Sequence, residues 1–350
     1  MSVKERLVGV IGAGGISVAH LEALADIPEV TVHAIADPII SIAEARAMQF
    51  KIPQVFSNYT KILEMPEIES VIICVPNYLH APISIDALKA GKHVLCEKPM
   101  ALNSEAAKEM VDIQKQSGKQ LMIGLNNRFR GDTQLLKKYI DGNELGKIYH
   151  GKTGWIRRRG IPAWGRWFSE KEKSGGGPLI DIGVHMLDLT LWLMGNVKPV
   201  SVVGAAYTEF GNRGKGIWPG VTAPDDLVFD VEDLASAFIR LENGATLTLD
   251  VSWASHIEKE KNFVQLMGTN GGATLDSDHF HIYSEKYGSI VDLSPKPDKV
   301  NDRVELLKHY FTCIDTGETP ICSAEQGLFV NKILDAIYQS SQTGQLIEIV

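Results

Sequence analysis

Short apolar runs alternate with longer amphipathic stretches over the first third of the chain. Leu7–Ile11, Val30–Ala36, Val71–Val75, His93–Cys96 and Leu121–Leu125 read as strands. The stretches from about Ser17 to Ile27, Ile42–Phe50, Ala81–Ala90 and Ser104–Ser117 read as helices. Strands that are apolar at almost every position need cover on both faces, which parallel pairing with crossover helices provides. The expected fold is therefore α/β, with a doubly wound parallel sheet of the Rossmann type.

After about Arg128 the pattern changes. A helix near Thr133–Asp141 precedes longer segments of alternating character: Ile148–Ile156, Val200–Phe210, Leu234–Leu241, Ala245–Ser252, Asn262–Gly268 and Gly272–Leu275. Period-two alternation predicts a largely antiparallel sheet with one solvated or partner-facing side. One helix, Ile182–Leu193, interrupts it, and helices at about Arg303–Thr316 and Ala324–Thr343 close the chain. Gly211–Asp226 is rich in Gly and Pro and reads as a long loop. At about 150 residues per domain, 350 residues make roughly two. The expected division is a Rossmann domain over residues 1–127 and an α/β domain over 128–350, whose closing helices are free to pack back on the first.

Charge and cysteine usage narrow the classes. The formal charge is −8 and no long basic run occurs, so phosphate neutralisation on nucleic acid has little to work with. The N-terminal apolar run LVGVI is too short for a signal-peptide core, and no stretch approaches the roughly 18 apolar residues of a membrane span. Four cysteines without a CxxC pair, two of them inside apparent buried strands, fit reduced thiols in the cytoplasm. Thirty-two glycines are a surplus, and part of it is clustered at residues 12–15 and 175–177.

The first cluster, Gly12-Ala13-Gly14-Gly15-Ile16-Ser17, follows the first strand and opens the first helix. In a dinucleotide fold the first glycine makes the tight turn and the second admits the pyrophosphate. The helix N-terminus then supplies amide donors and a positive dipole end. Ser17 replaces the third glycine and is still small. Asp37 ends the second strand where a ribose-hydroxyl acceptor belongs, and Pro38-Ile39-Ile40 offers no cation for a 2′-phosphate. The expected cofactor is NAD rather than NADP.

Two further segments follow apolar strands at the ligand-binding edge of such a sheet: Val75-Pro76-Asn77-Tyr78-Leu79-His80 and Glu97-Lys98-Pro99. With the glycine loop, Asn127-Arg128-Phe129 and Gly175-Gly176-Gly177-Pro-Leu-Ile-Asp181-Ile-Gly183-Val-His185, they occur in family order, and the chain resembles the Gfo/Idh/MocA family of NAD(P)-dependent oxidoreductases. The stretch Arg158–Gly165 is similar to a subgroup acting at C3 of glucosides. The resemblance implies Lys98, Asp181 and His185 as catalytic residues. It implies Gly12, Gly14, Gly15, Ile16, Asp37, Pro76, Asn77, His80, Glu97, Lys98 and Asn126 around the cofactor, with Asn126 near the nicotinamide. Arg128, Arg158, Trp164 and Trp253 are candidate substrate contacts; an aromatic and basic set of this kind, with Trp155 and Trp167, can stack on and hydrogen-bond a sugar. The resemblance also implies an open, mainly antiparallel sheet in the second domain that serves as the interface of a homodimer or homotetramer. A cis Lys98–Pro99 peptide is expected.

Oxidising a secondary alcohol requires the hydroxyl proton to leave as hydride departs. An unperturbed imidazole has a pKa of about 6.5, close to working pH, so His185 suits the base role, with Asp181 four residues earlier on the same helical face to orient it. Lys98 brings positive charge to a developing alkoxide. Taken singly, each has a plainer reading: His185 as a core histidine, Asp181 as a helix N-cap, Gly175–Gly177 as a flexible turn and Lys98 as a surface cation. Trp253 has one too, as core filling. His279 and His281 lack a nearby third ligand in sequence, so no metal is expected. The leading function is NAD-dependent dehydrogenation of a sugar, glucoside or cyclic polyol. The alternatives are an NAD-dependent glycosidase of the same fold and a non-catalytic NAD-binding sensor or regulator.

Overall fold

The computed structural model describes residues 6–162, 167–217, 228–277 and 279–349. The backbone divides into two compact units, residues 1–129 with 300–328, and residues 130–299 with 329–350.

The first unit is built on six parallel strands: β1 (Arg6–Ile11), β2 (Val30–Ala36), β3 (Gln54–Phe56), β4 (Ser70–Ile73), β5 (His93–Cys96) and β6 (Leu121–Ile123), in the order β3-β2-β1-β4-β5-β6. Every residue of β4 and β6 is buried, as strands covered on both faces must be. The chain winds outward from β1 in both directions, so the loops after β1 and β4 flank the switch point where open sheets bind ligands. β3 is short and only partly buried, and its weak apolar signal left it unread in the sequence.

The helix Asp302–Thr316 also belongs to this unit. Asn301 caps it by accepting from the amides of Arg303 (3.1 Å) and Val304 (3.3 Å), and Gly317 ends it at φ +74°. These two stops fix where Arg303, in its first turn, can reach.

The second unit holds β7 (Ile148–Ile156), β8 (Pro199–Tyr207), β9 (Leu234–Leu241), β10 (Thr246–Ser252), β11 (Lys261–Gly268), β12 (Gly271–Asp276), β13 (Phe280–Lys286), β14 (Ser289–Leu293) and β15 (Ile347–Glu348). Their order is β14-β13-β12-β11-β7-β10-β9-β8-β15, antiparallel throughout except for β7 beside β10. β8 stops at Tyr207 rather than running to Phe210. The Asp233 carboxylate accepts the amides of Phe210 (2.5 Å) and Gly211 (3.0 Å) and turns the chain there. One sheet face carries the helix Val184–Leu193. Gly151 lies under it, where a Cβ would come within 2.9 Å of Met194 Sδ, so glycine permits the close approach. On β8 and β9, Val203 pairs with Phe238, and both are exposed.

Four histidines of the first unit, His20 and His80 buried, His93 and His309 half-buried, are expected to give it a pH dependence. Desolvation lowers the pKa of His20, His80 and His309, and takes His93 to about 4. Below a pH of about 6.5 the unfolded rings take up protons that the folded ones resist, so the unfolded state binds more protons. Stability is therefore expected to fall as pH drops from about 6.5 towards 4. The urea midpoint at pH 5 should lie below that at pH 7, and an unchanged midpoint would refute this account.

Candidate active site

The residues expected at the cofactor lie at the switch point of the first unit. Gly12 has φ +96°, and a Cβ on it would meet the Cys74 carbonyl oxygen at 2.5 Å. Only glycine fits that turn. Around Gly14 and Gly15, by contrast, a Cβ would meet nothing within 4 Å. The helix Gly15–Ala25 starts there with no side-chain cap. Its amides and dipole therefore face open space of the kind a pyrophosphate takes. Ile16, 37% exposed, flanks the opening. Asp37 braces the loop: one carboxylate oxygen accepts the Ala13 amide (2.9 Å), the other the Ile39 amide (2.9 Å). Each oxygen keeps a second lone pair for a ribose hydroxyl. These residues fit a dinucleotide.

From Val94 to Ala101 every residue is buried except Lys98. A lysine offered alone out of a buried strand end is not an ordinary surface cation. The Lys98–Pro99 peptide is cis, as expected. Pro76 and Asn77 begin the turn after β4, and the Asn126 amide donates to Asp302 at 2.6 Å.

Glu97 and His80, expected to line the cofactor, are buried among the protein's own groups. Glu97 is 5% exposed; its Oε1 lies 2.7 Å from His20 Nε2 and accepts from Arg303 Nη1 at 2.9 Å, while Oε2 accepts the Lys98 amide at 3.1 Å. Burial alone would raise its pKa, but the His20 contact and the charges of Arg303 and Lys98 override it and hold the carboxyl well below the usual range. His80 is 1% exposed, with Nδ1 2.6 Å from the Pro99 carbonyl and Nε2 2.9 Å from that of Val75. It ties the turn after β4 to the residue following Lys98. Arg128 also departs from expectation. It is 1% exposed, and its guanidinium donates to the Ile321 carbonyl and to Gln326 Oε1, so it secures the returning segment rather than a substrate.

The second unit carries the two residues expected as acid–base partners, Asp181 and His185. Leu179–Gly183 forms a π-helical turn that leads into the helix Val184–Leu193. Turns of this type occur often at functional sites. Across these fifteen residues all are buried except Asp181 and His185. A core histidine would share the burial of its neighbours. Asp181 is not the N-cap either. The carboxylate that satisfies the helix start is Glu232, which accepts the amides of Gly177 (2.9 Å) and Leu179 (3.0 Å). Asp181 Oδ2 accepts the indole N–H of Trp253 at 3.0 Å, and that indole is fully buried. Trp253 therefore fixes the Asp181 carboxylate and is not a sugar-stacking wall. Nor is Gly175–Gly177 a loose turn. A Cβ at Gly176 would meet Tyr338 Oη at 1.9 Å, and one at Gly177 the Glu232 carbonyl oxygen at 1.9 Å.

Arg158 is exposed and donates to the Glu258 carbonyl (2.8 Å), and the Arg157 guanidinium sits 4.9 Å over the Trp155 ring. Trp164 lies outside the described residues.

Known proteins agree with this architecture. Residues 6–125 match the family described as "Oxidoreductase family, NAD-binding Rossmann fold", and residues 133–274 match the "GFO/IDH/MocA C-terminal domain". The chain belongs to the Gfo/Idh/MocA oxidoreductase family. It is 32% identical to the D-glucoside 3-dehydrogenase of Escherichia coli over 349 residues, covering 98% of this chain and 97% of that one. It is also 32% identical to the levoglucosan dehydrogenase of Pseudarthrobacter phenanthrenivorans over 287 residues, covering 77% and 73%. Among solved structures, a levoglucosan dehydrogenase in complex with NADH and levoglucosan superposes with a TM-score of 0.87 at 25% identity, covering 98% of this chain and 99% of that one.

Two residues behind the candidate residues of each unit went unmarked in the sequence: His20 and Arg303 in the first, Glu232 and Tyr338 in the second. Each is an isolated polar residue in an amphipathic or loop segment, and its partner is 77 or more positions away for His20, 206 for Arg303, and 106 between Tyr338 and Glu232. No local pattern announces such pairs.

Proposed function

We propose that this enzyme oxidises a secondary hydroxyl of a sugar, glucoside or cyclic polyol, with C3 of a glucoside as the leading position. The isolated emergence of Asp181 and His185 from an otherwise buried fifteen-residue run carries this reading. NAD, when bound, supplies the hydride acceptor. His185 takes the hydroxyl proton. Asp181, held by the Trp253 indole, orients the ring and stabilises its charged form. The Lys98 ammonium stabilises the developing alkoxide. The names of the two dehydrogenase relatives support a sugar hydroxyl as the reacting group.

The preference for NAD over NADP rests on Asp37, whose carboxylate would repel a 2′-phosphate. Replacing it, D37A, is expected to move the NAD-to-NADP ratio of kcat/KM by about tenfold or more towards NADP, since a unit charge near the phosphate is lost. Unchanged discrimination would overturn the ribose assignment. The exposed Val203–Phe238 pair on the open sheet supports a homodimer or homotetramer through that face, which light scattering of the purified protein tests. Four buried free thiols support a cytoplasmic site of action; among the described residues, no helix is long and apolar enough to cross a membrane.

The deciding experiment is a panel of glucosides, aldoses and inositols with NAD, followed by NADH absorbance and by NMR of the products. Stoichiometric NADH with a keto-sugar supports the dehydrogenase. Sugar release without net NADH would mark a glycosidase, and no turnover on any member a sensor.

A further inference from the structure

Asp181 and His185 work as a pair only if the turn that carries them is held. The dipeptide Glu232–Asp233, which leads into β9, holds it at two points. The Glu232 carboxylate, 6% exposed, accepts the amides of Gly177 and Leu179 at the start of the turn and the hydroxyl of Tyr338 at 2.9 Å. The Asp233 carbonyl accepts the Trp253 amide at 3.0 Å, and the indole of that same tryptophan grips Asp181. Gly176 and Gly177 have no room for a Cβ because Tyr338 and Glu232 stand so close.

We propose that Glu232 is a positioning residue for the oxidation: through the Gly177 and Leu179 amides it sets where Asp181, gripped by the Trp253 indole, and His185 meet the substrate. The inference rests on the catalytic roles proposed above. Its chemistry favours a carboxylate over an amide. Two backbone donors converge on two oxygens at a helix start, where the dipole favours negative charge. A glutamine of the same size would turn an NH2 group against one of these N–H donors, leaving it unsatisfied.

The test uses the full-length enzyme with the best substrate from the panel. E232Q is expected to lower kcat about tenfold or more, because small misplacements of reacting groups are costly. KM for the sugar and NADH affinity, read by fluorescence titration, should stay within about twofold. The Trp253 indole N–H resonance, assigned by its loss in W253F, should move and exchange faster. A kcat within about twofold of wild type together with an unmoved indole resonance would overturn the proposal. Should E232Q fail to accumulate as folded protein, Y338F carries the test, since it keeps the carboxylate and removes one donor. A two- to fivefold lower kcat, equivalent to roughly 0.4–1 kcal/mol, with a shifted indole resonance supports the proposal, and no change in either defeats it. The H185A enzyme separates the two levels. If it turns over normally, the base assignment has failed, and the indole resonance alone decides whether Glu232 positions this turn.

Discussion

The H185A enzyme is expected to lose turnover by about 10²- to 10⁴-fold, the usual contribution of a general base, while binding NADH within about twofold of wild type. His185 lies in the second unit, whereas the glycine loop and Asp37 lie in the first, so the two properties are carried by different residues. The alternative reading, a histidine that merely fills the core, predicts a different signature: reduced stability and little selective loss of kcat. Exposure argues for the base. On the helix Val184–Leu193 the other nine residues are buried, and only His185 is half-buried. Steady-state rates combined with a thermal melt distinguish the outcomes. A kcat within about threefold of wild type would exclude His185 as the base.

The second large effect is expected on stability. R303M should cost about 3–5 kcal/mol, because it strips the cation from a buried carboxylate and leaves that charge with reduced compensation. Glu97 is 5% exposed, and Arg303 donates to it at 2.9 Å while lying 3.0 Å from His20 Nε2. His20 sits on the helix that opens with the glycine loop, and Glu97 holds the Lys98 amide. The loss should therefore reach both NADH affinity and turnover. A urea titration followed by a probe in the first unit measures it. R303K should retain part of the stability, since charge survives while the guanidinium fork does not. A midpoint for R303M equal to wild type would show that the Glu97–His20 contact suffices alone.

The parallel sheet was legible because its strands need apolar cover on both faces, which leaves continuous apolar runs such as Val71–Ile73. Gly12 and Asp37 were legible because turn geometry and ribose binding constrain residue type at fixed spacing. β14 escaped notice. Its residues are mostly exposed, so no burial pattern marks it.

Among the candidate site residues, the four found buried share one ambiguity. Arg128, Trp253, Glu97 and His80 are residue types that serve equally as ligand contacts or as buried supports. Composition and spacing do not distinguish the two roles; burial and hydrogen-bond partners do. The Trp253 indole at Asp181 is a support of this kind, 72 residues away in sequence.

The sequence by itself determined the parallel α/β architecture, the dinucleotide loop, and the identity of Lys98, Asp181 and His185 as residues to watch. The first two are set by periodic burial and local stereochemistry, which short stretches of chain carry within themselves; the three residues were marked by motifs shared with a family. Only the tertiary structure decided that Glu97 answers to Arg303 and His20, and that Glu232 rather than Asp181 caps the turn. It also decided that Gly176 and Gly177 are a close-packed seam. Those are pairings between distant residues, made favourable by desolvation, and desolvation exists only once the chain has folded.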